Sequence, residues 1–250
     1  AVLPFFLLAA AAVKLPVQDP SQIFGLGILL VLLLMGLARY RASEDVMVIG
    51  LAGAALLQYA WHTNHFNPMD SMIPLCWYAG FYFLFTLFPF ICRKHIRTLQ
   101  PWISGTFAGP VQFYLVYKAV STSMGTDFIG VIPASFAVIS LIGLVNTIRA
   151  FPKDEPQQRD RLALLGGVSL FFITLIIPLQ FDKEWITLGL VLEGAALLWL
   201  YGRVPHIGLV YWALGLLGIS FARLTMNPAV LSYHPRTDTV IFNWYLYVYG

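Results

Sequence analysis

The chain has 250 residues, of which 59% are hydrophobic, 15% aromatic and only 11% charged, and its formal net charge is +3. Soluble domains carry roughly a quarter charged residues, so the composition excludes a water-soluble globular protein and requires lipid to cover much of the surface. The net charge is small, and no basic run is interleaved with aromatic residues. We therefore expect no nucleic-acid partner.

Apolar segments joined by short polar loops fill the sequence from end to end. We predict ten segments, the first and last incomplete, at residues 1–13, 23–38, 46–61, 72–91, 102–119, 128–148, 162–181, 185–201, 207–224 and from 240 onwards. The predicted fold is all-α, a polytopic transmembrane helical bundle in a lipid bilayer. Because both ends fall inside apolar runs, we interpret the chain as a fragment of a longer protein. The other transmembrane segments of that longer protein are then expected partners of this chain.

The most polar interruption, FPKDEPQQRD at residues 151–160, predicts a division of the chain. We expect a first bundle of six helices at 1–150, a cytoplasmic linker at 151–160 and a truncated second bundle of four helices at 161–250. Loops after even-numbered segments hold ten of the 15 Lys and Arg residues, and such loops are usually cytoplasmic. The loop at 62–71 is then predicted to face outward.

One acidic residue, Glu193, lies near the centre of the apolar segment WITLGLVLEGAALLWLYGR. Gly189 and Ala196 lie four and three positions away on the same helical face, so another helix can approach it closely. An ionised carboxylate at mid-membrane costs at least ~2.5 kcal/mol, so the side chain should face protein or water and find a partner. We predict that Glu193 either binds a proton or cation or locks two helices together. Only residues 202–206 separate this segment from the next, so the eighth and ninth helices should be neighbours, with Arg223 as the predicted ion-pair partner of Glu193. The alternative is that Arg223 extends toward the outer headgroups while a neutral Glu193 forms hydrogen bonds elsewhere.

The fifth segment contains a proline and two polar residues that are further candidates for a binding site. Pro110 removes a backbone donor and predicts a kink, with Gln112 close to it in the sequence. A kinked helix could line a cavity, or the kink could be absorbed by packing. Lys118 either contacts an anion or extends toward the headgroups.

Motifs for catalysis and for metal or cofactor binding are weak. His62 and His65 have the spacing of one helical turn and Asp70 is near, but Asn and Pro residues predict a loop there and a third ligand is not evident. The chain has no HExxH, GxSxG, Walker or Rossmann motif, so we predict no metal and no cofactor. A membrane-embedded enzyme acting on a lipid-linked or envelope substrate through His62, His65, Asp70, His234 or Arg236 remains an alternative.

An apolar helix that ends in a proline and an aromatic residue is followed by a charged turn, a tryptophan and a helix with Glu-Gly-Ala. The positions are Pro178, Phe181, Asp182, Trp185, Glu193, Gly194 and Ala195. This pattern resembles a signature of large uncharacterised bacterial polytopic membrane proteins (domain of unknown function 2339), and the match is strongest at residues 162–218. The resemblance implies a multi-pass protein of the bacterial inner membrane with a periplasmic partner. It implies no substrate or catalytic residue.

Three classes of function follow from these observations. The favoured class is a transporter- or channel-like subunit with an intramembrane acidic site. It is favoured because the sequence contains Glu193 and a predicted kink near Gln112 but no catalytic motif. The first alternative is a membrane scaffold or assembly subunit that docks an extracytoplasmic partner. The second is the membrane-embedded enzyme.

Overall fold

A computed structural model describes residues 2–16, 18–41, 44–125, 129–152, 157–180 and 185–226. Within these ranges the regular structure is helical, without strands, which confirms the all-α prediction. The helices are α1 Val2–Lys14, α2 Ser21–Arg41, α3 Val46–His65, α4 Met72–Ile91, α5 Gln100–Ser123, α6 Val131–Ala150, α7 Gln158–Gln180, α8 Trp185–Arg203 and α9 Ile207–Met226. A short 3-10 helix, Pro68–Asp70, lies between α3 and α4.

Seven of the described helices are long and apolar enough to cross a membrane, namely α2, α3, α4, α6, α7, α8 and α9. The membrane class is therefore confirmed, whereas the prediction of about ten spans is not. Helix α1 has 13 residues and rises only about 20 Å, against about 30 Å for the hydrocarbon core. Helix α5 is long enough but more polar. The predicted tenth segment lies outside the described residues.

The chain divides into two compact units, Ala1–Ile132 and Pro133–Gly250. The sequence predicted that α6 belongs with the first bundle, but the structure groups it with the later helices. The rings of Phe136 on α6 and Phe172 on α7 lie 5.2 Å apart between centroids. A polar linker marks a break in hydropathy, whereas a unit boundary depends on which helices pack together, and this difference explains the discrepancy.

In the first unit, α3 packs against α1, α2 and α5, and α4 packs against α5. Phe24 on α2 lies at the centre of an aromatic cluster, 5.5 Å from the Trp61 ring on α3 and 6.1 Å from the Phe81 ring on α4. A glycine on α3 allows α1 and α3 to approach each other closely. A Cβ atom at Gly53 on α3 would lie 2.5 Å from Cγ of Phe5 on α1. These contacts fix four helices around one buried core.

In the second unit, α8 packs against both α7 and α9. A buried cluster joins the three helices through Ala163, Leu197, Leu209 and Ala213. The turn after α8 is tight, since the His206 N–H donates to the Val204 carbonyl at 2.8 Å and α9 begins at the next residue. The prediction that α8 and α9 are neighbours is confirmed. This three-helix group holds Glu193.

Candidate functional site: a buried carboxyl group between three helices

Glu193 lies at the middle of α8 and is only 5% exposed. Two glycines beside it let the neighbouring helices approach closely. A Cβ atom at Gly189 would lie 3.4 Å from Cδ of Pro178 on α7, and one at Gly194 would lie 3.0 Å from Cγ of Leu217 on α9. The prediction that another helix lies against the small-residue face is confirmed for Gly189. Together the two glycines place the carboxyl group between α7 and α9.

The carboxyl group of Glu193 has neutral hydrogen-bonding neighbours. The Thr174 hydroxyl on α7 and the Trp212 indole N–H on α9 are within its hydrogen-bonding reach. Thr174 Oγ1 also lies 2.9 Å from the Leu170 carbonyl, to which it can donate its single proton. The hydroxyl can therefore donate to an ionised carboxylate, or accept from a protonated one while it donates to the backbone. Both protonation states of Glu193 find a partner at this position.

Part of the carboxyl group lacks a partner. Among the described residues, Oε1 of Glu193 is buried and has no hydrogen bond. A buried acceptor without a donor costs about 1–3 kcal/mol, and more when it is charged. This oxygen is the position at which a cation or a hydrogen-bond donor would add the most stability.

The predicted ion pair between Glu193 and Arg223 is absent from the part of the chain that the structure describes. The α9 residue that meets Gly194 is Leu217. Arg223 is six residues further along α9, which corresponds to about 9 Å of axial rise. The indole of Trp212 reaches the carboxyl group instead. The separation along α9 explains why the two side chains form no direct ion pair.

Gln112 belongs to a different polar contact, within the first unit. Its side chain is fully buried, and its Nε2 donates to Oε1 of Gln58 on α3 at 2.7 Å. Gln58 Nε2 and Gln112 Oε1 have no partner among the described residues. Helix α5 continues without a break across Pro110. Gln58 was not among the predicted site residues, although it is the only amide in the third apolar segment and could have been paired with Gln112 on that basis.

Lys118 lies on α5, six residues beyond Gln112, and its side chain is exposed. Its separation from Gln112 along the helix axis is about 9 Å, so the two residues do not form one site within the helix. The exposed side chain agrees with the interpretation that Lys118 extends toward the headgroups. Its carbonyl accepts from the Thr122 hydroxyl at 2.8 Å.

The two histidines of the weak metal motif bind different partners. Helix α3 extends to His65, so both histidines are helical, whereas the sequence predicted a loop from residue 62. His62 Nδ1 lies 2.9 Å from the Tyr78 hydroxyl, and His65 Nε2 lies 2.7 Å from the Ala12 carbonyl. In the described ranges, no three His, Cys, Asp or Glu residues are placed to hold a metal ion. His234 and Arg236 lie outside the described residues.

Apolar helices of spanning length and a buried carboxyl group at mid-helix define the class, a multi-pass membrane protein. Comparison with protein-family models, with curated proteins and with solved structures finds no match. The resemblance to large bacterial membrane proteins therefore remains a prediction.

Proposed function

We propose that this protein is a transporter- or channel-like membrane subunit in which Glu193 takes up and releases a proton within the membrane. The observation that carries the proposal is that a buried carboxyl group at mid-helix has neutral neighbours and no cationic partner among the described residues. Intramembrane acids of this kind often belong to proton relays and ion pathways.

The proposal follows from the cost of holding an ionised Glu193 carboxylate in the middle of the membrane. An ionised Glu193 would cost at least ~2.5 kcal/mol at the centre of a membrane helix. Thr174 and Trp212 can donate hydrogen bonds but cannot neutralise the charge. A proton can neutralise it, and the Thr174 hydroxyl can serve both the protonated and the ionised form. Such a site can change protonation state without rearrangement of the helices.

The proposal is tested in proteoliposomes loaded with a pH-sensitive dye. After an external pH step, we expect faster proton entry than in protein-free liposomes, and Glu193→Gln should abolish the difference because the amide does not titrate. Asp45→Asn is the matched control, since Asp45 is an exposed acid outside the three-helix group. Equal proton entry in the wild type and Glu193→Gln would contradict the assignment of Glu193. Wild-type entry no faster than in empty liposomes would contradict transport.

A second readout distinguishes proton binding from helix locking. Infrared difference spectra between two pH values should contain a carboxyl C=O band that is lost in Glu193→Gln and retained in Asp45→Asn. A carboxyl group that only locks helices keeps one protonation state, so its band would not respond to pH. That result would favour a structural role for Glu193.

The host membrane is also part of the proposal. We infer from the resemblance at residues 162–218 that the protein belongs to the family of large bacterial membrane proteins, lies in the bacterial inner membrane and contacts a periplasmic partner. After expression in a bacterium and separation of the two membranes on a density gradient, the protein should sediment with inner-membrane markers. Sedimentation with the outer membrane would contradict this location.

A further inference from the structure

A groove of about 560 Å³ runs between α2 and α4 in the first unit, separate from the carboxyl site. Its walls are apolar and include Leu32 on α2 and Phe83, Leu87 and Ile91 on α4. Two glycines of its lining, Gly36 and Gly80, have open space beside them, because a Cβ atom at either position would meet no other atom within 4 Å. The groove therefore has room for an apolar chain between the two helices.

The length and direction of the groove match one leaflet of a bilayer. Along α4 the lining residues extend from Gly80 to Ile91, which is a rise of about 16 Å, close to half of the ~30 Å hydrocarbon core. Cys92 after α4 and Arg39 near the end of α2 line the same end of the groove. This end is where the helices leave the apolar part of the sequence, at the depth of the lipid headgroups.

A basic group lies at that end. Arg39 is exposed, and its guanidinium lies 6.0 Å from the ring centroid of Tyr40. In the described part of the chain no acidic side chain forms an ion pair with Arg39. Glu44 lines an adjoining cavity with it, but the Glu44 carboxylate accepts from the backbone N–H groups of Arg97 and Thr98. The guanidinium thus remains available to a phosphate, which it can bind through two parallel hydrogen bonds.

We propose that this groove binds an anionic phospholipid, with an acyl chain along Gly36 and Gly80 and the phosphate on Arg39. Exposed Arg93 and Lys94 directly follow α4 and add positive charge at the same end of that helix. The match of charge favours a lipid with a net negative headgroup over a zwitterionic one. The positive-inside prediction assigns this lipid to the cytoplasmic leaflet. The inference is independent of the role of Glu193.

The test uses the purified protein in nanodiscs of equimolar phosphatidylglycerol and phosphatidylcholine. After release into detergent, native mass spectrometry measures which lipid stays bound. We expect phosphatidylglycerol to be retained preferentially, and Arg39→Gln to reduce its retention at least about tenfold, because a charge-assisted hydrogen bond contributes about 1.5–3 kcal/mol. Arg203→Gln is the matched control. Arg203 is also an exposed arginine near an aromatic ring at a helix end, 5.5 Å from Trp199, but it does not line the groove.

Gly80→Phe tests the apolar part of the groove, since the ring would occupy the space beside Gly80 and should displace the lipid. Gly36→Leu tests the opposite wall if the first variant does not fold, as judged by circular dichroism and size-exclusion chromatography. Unchanged retention in Arg39→Gln, or equal loss in Arg203→Gln, would overturn the proposal. Equal retention of the two lipids would overturn the charge selection. A protein dimer that Gly80→Phe dissociates, without a change in bound lipid, would mean that a second copy fills the groove.

Discussion

The contact between Gln58 and Gln112 is a buried hydrogen bond between two amides on different helices. It uses one donor and one acceptor of the pair, and the described residues offer no partner to Gln58 Nε2 and Gln112 Oε1. Interhelical hydrogen bonds in membrane proteins contribute about 0.6 kcal/mol on average, up to about 1.7 kcal/mol. Loss of one partner costs more than loss of both, because the remaining amide then has no partner in the bundle.

This asymmetry predicts the outcome of a double-mutant cycle. Gln112→Leu alone should destabilise the protein by about 1–2 kcal/mol, since it leaves the Gln58 amide unpaired in an apolar core. Gln58→Leu combined with Gln112→Leu should recover most of the loss. Reversible unfolding in mixed micelles measures the free energies. Additivity within about 0.5 kcal/mol would contradict the coupling.

The contact of Gly53 with Phe5 makes a second residue-scale prediction. A Cβ atom at position 53 would lie 2.5 Å from Cγ and 2.8 Å from Cβ of Phe5, and Phe5 is fully buried. Gly53→Ala must therefore move α1 away from α3, and we expect a loss of about 1–3 kcal/mol. Gly25→Ala is the control, because its Cβ atom would meet Trp77 at an ordinary 3.9 Å. A similar unfolding free energy for the two variants would argue against a close α1–α3 contact.

The local surroundings of Glu193 could be predicted from the sequence in part. Gly189 lies one turn away on the same face, so the close approach of a second helix follows from spacing alone. Thr174 and Trp212 could not be found in this way. Each belongs to a neighbouring helix, and nothing in a single apolar segment indicates which residue of another segment will face it.

At the scale of elements, Glu44 connects two loops. It is buried in the loop between α2 and α3, and it accepts from the N–H groups of Arg97 and Thr98 just before α5 begins. The Thr98 hydroxyl donates to the same carboxylate. Charged acceptors make stronger hydrogen bonds than neutral ones, so this carboxylate fixes where the chain enters α5.

Glu44→Gln should loosen that loop, because an amide has one acceptor oxygen where the carboxylate has two. We expect trypsin to cleave after Arg93, Lys94 and Arg97 about tenfold faster, which corresponds to a loss of about 1.4 kcal/mol. Asp45→Asn is the control, since the Asp45 side chain makes no capping hydrogen bond. Cleavage at the same rate in the wild type and Glu44→Gln would exclude this role for the carboxylate.

Helix positions were largely predictable, because lipid imposes long apolar runs with polar interruptions. Helix α5 was harder to classify, since it is more polar than its neighbours and buries much of that polarity, including Ser104, Thr106 and Gln112. A helix that contacts protein does not need the hydropathy of a lipid-facing one. The end of α3 was misplaced for a related reason. His62 and His65 find partners on other helices, and these contacts extend α3 beyond its apolar run.

At the scale of the whole molecule, the topology depends on whether α5 crosses the membrane. If α4, α5 and α6 all cross the membrane, positions 69 and 152 lie on opposite sides of it. If only α4 and α6 cross, the two positions lie on the same side. The basic loops predict that 69 faces outward and 152 faces the cytoplasm. Met69 is 93% exposed and Pro152 is exposed, so both positions suit labelling.

We therefore predict the result of single-cysteine labelling after Cys76 and Cys92 are replaced by serine. A membrane-impermeant maleimide added outside should label Met69→Cys and leave Pro152→Cys unlabelled until the membrane is opened. Labelling of both positions from outside would mean that α5 does not cross. Labelling of Pro152→Cys alone would invert the orientation.

The contact between His65 and Ala12 has a consequence for synthesis of the protein in the cell. The Ala12 carbonyl near the end of α1 can only accept, so His65 Nε2 must carry the proton of their 2.7 Å hydrogen bond. The histidine is 53 residues further along the chain, and a ribosome adds roughly 5–20 residues per second, so it follows several seconds later. During that interval, water or the insertion machinery must cover the carbonyl. The first helix reaches its final position only after the third has been made.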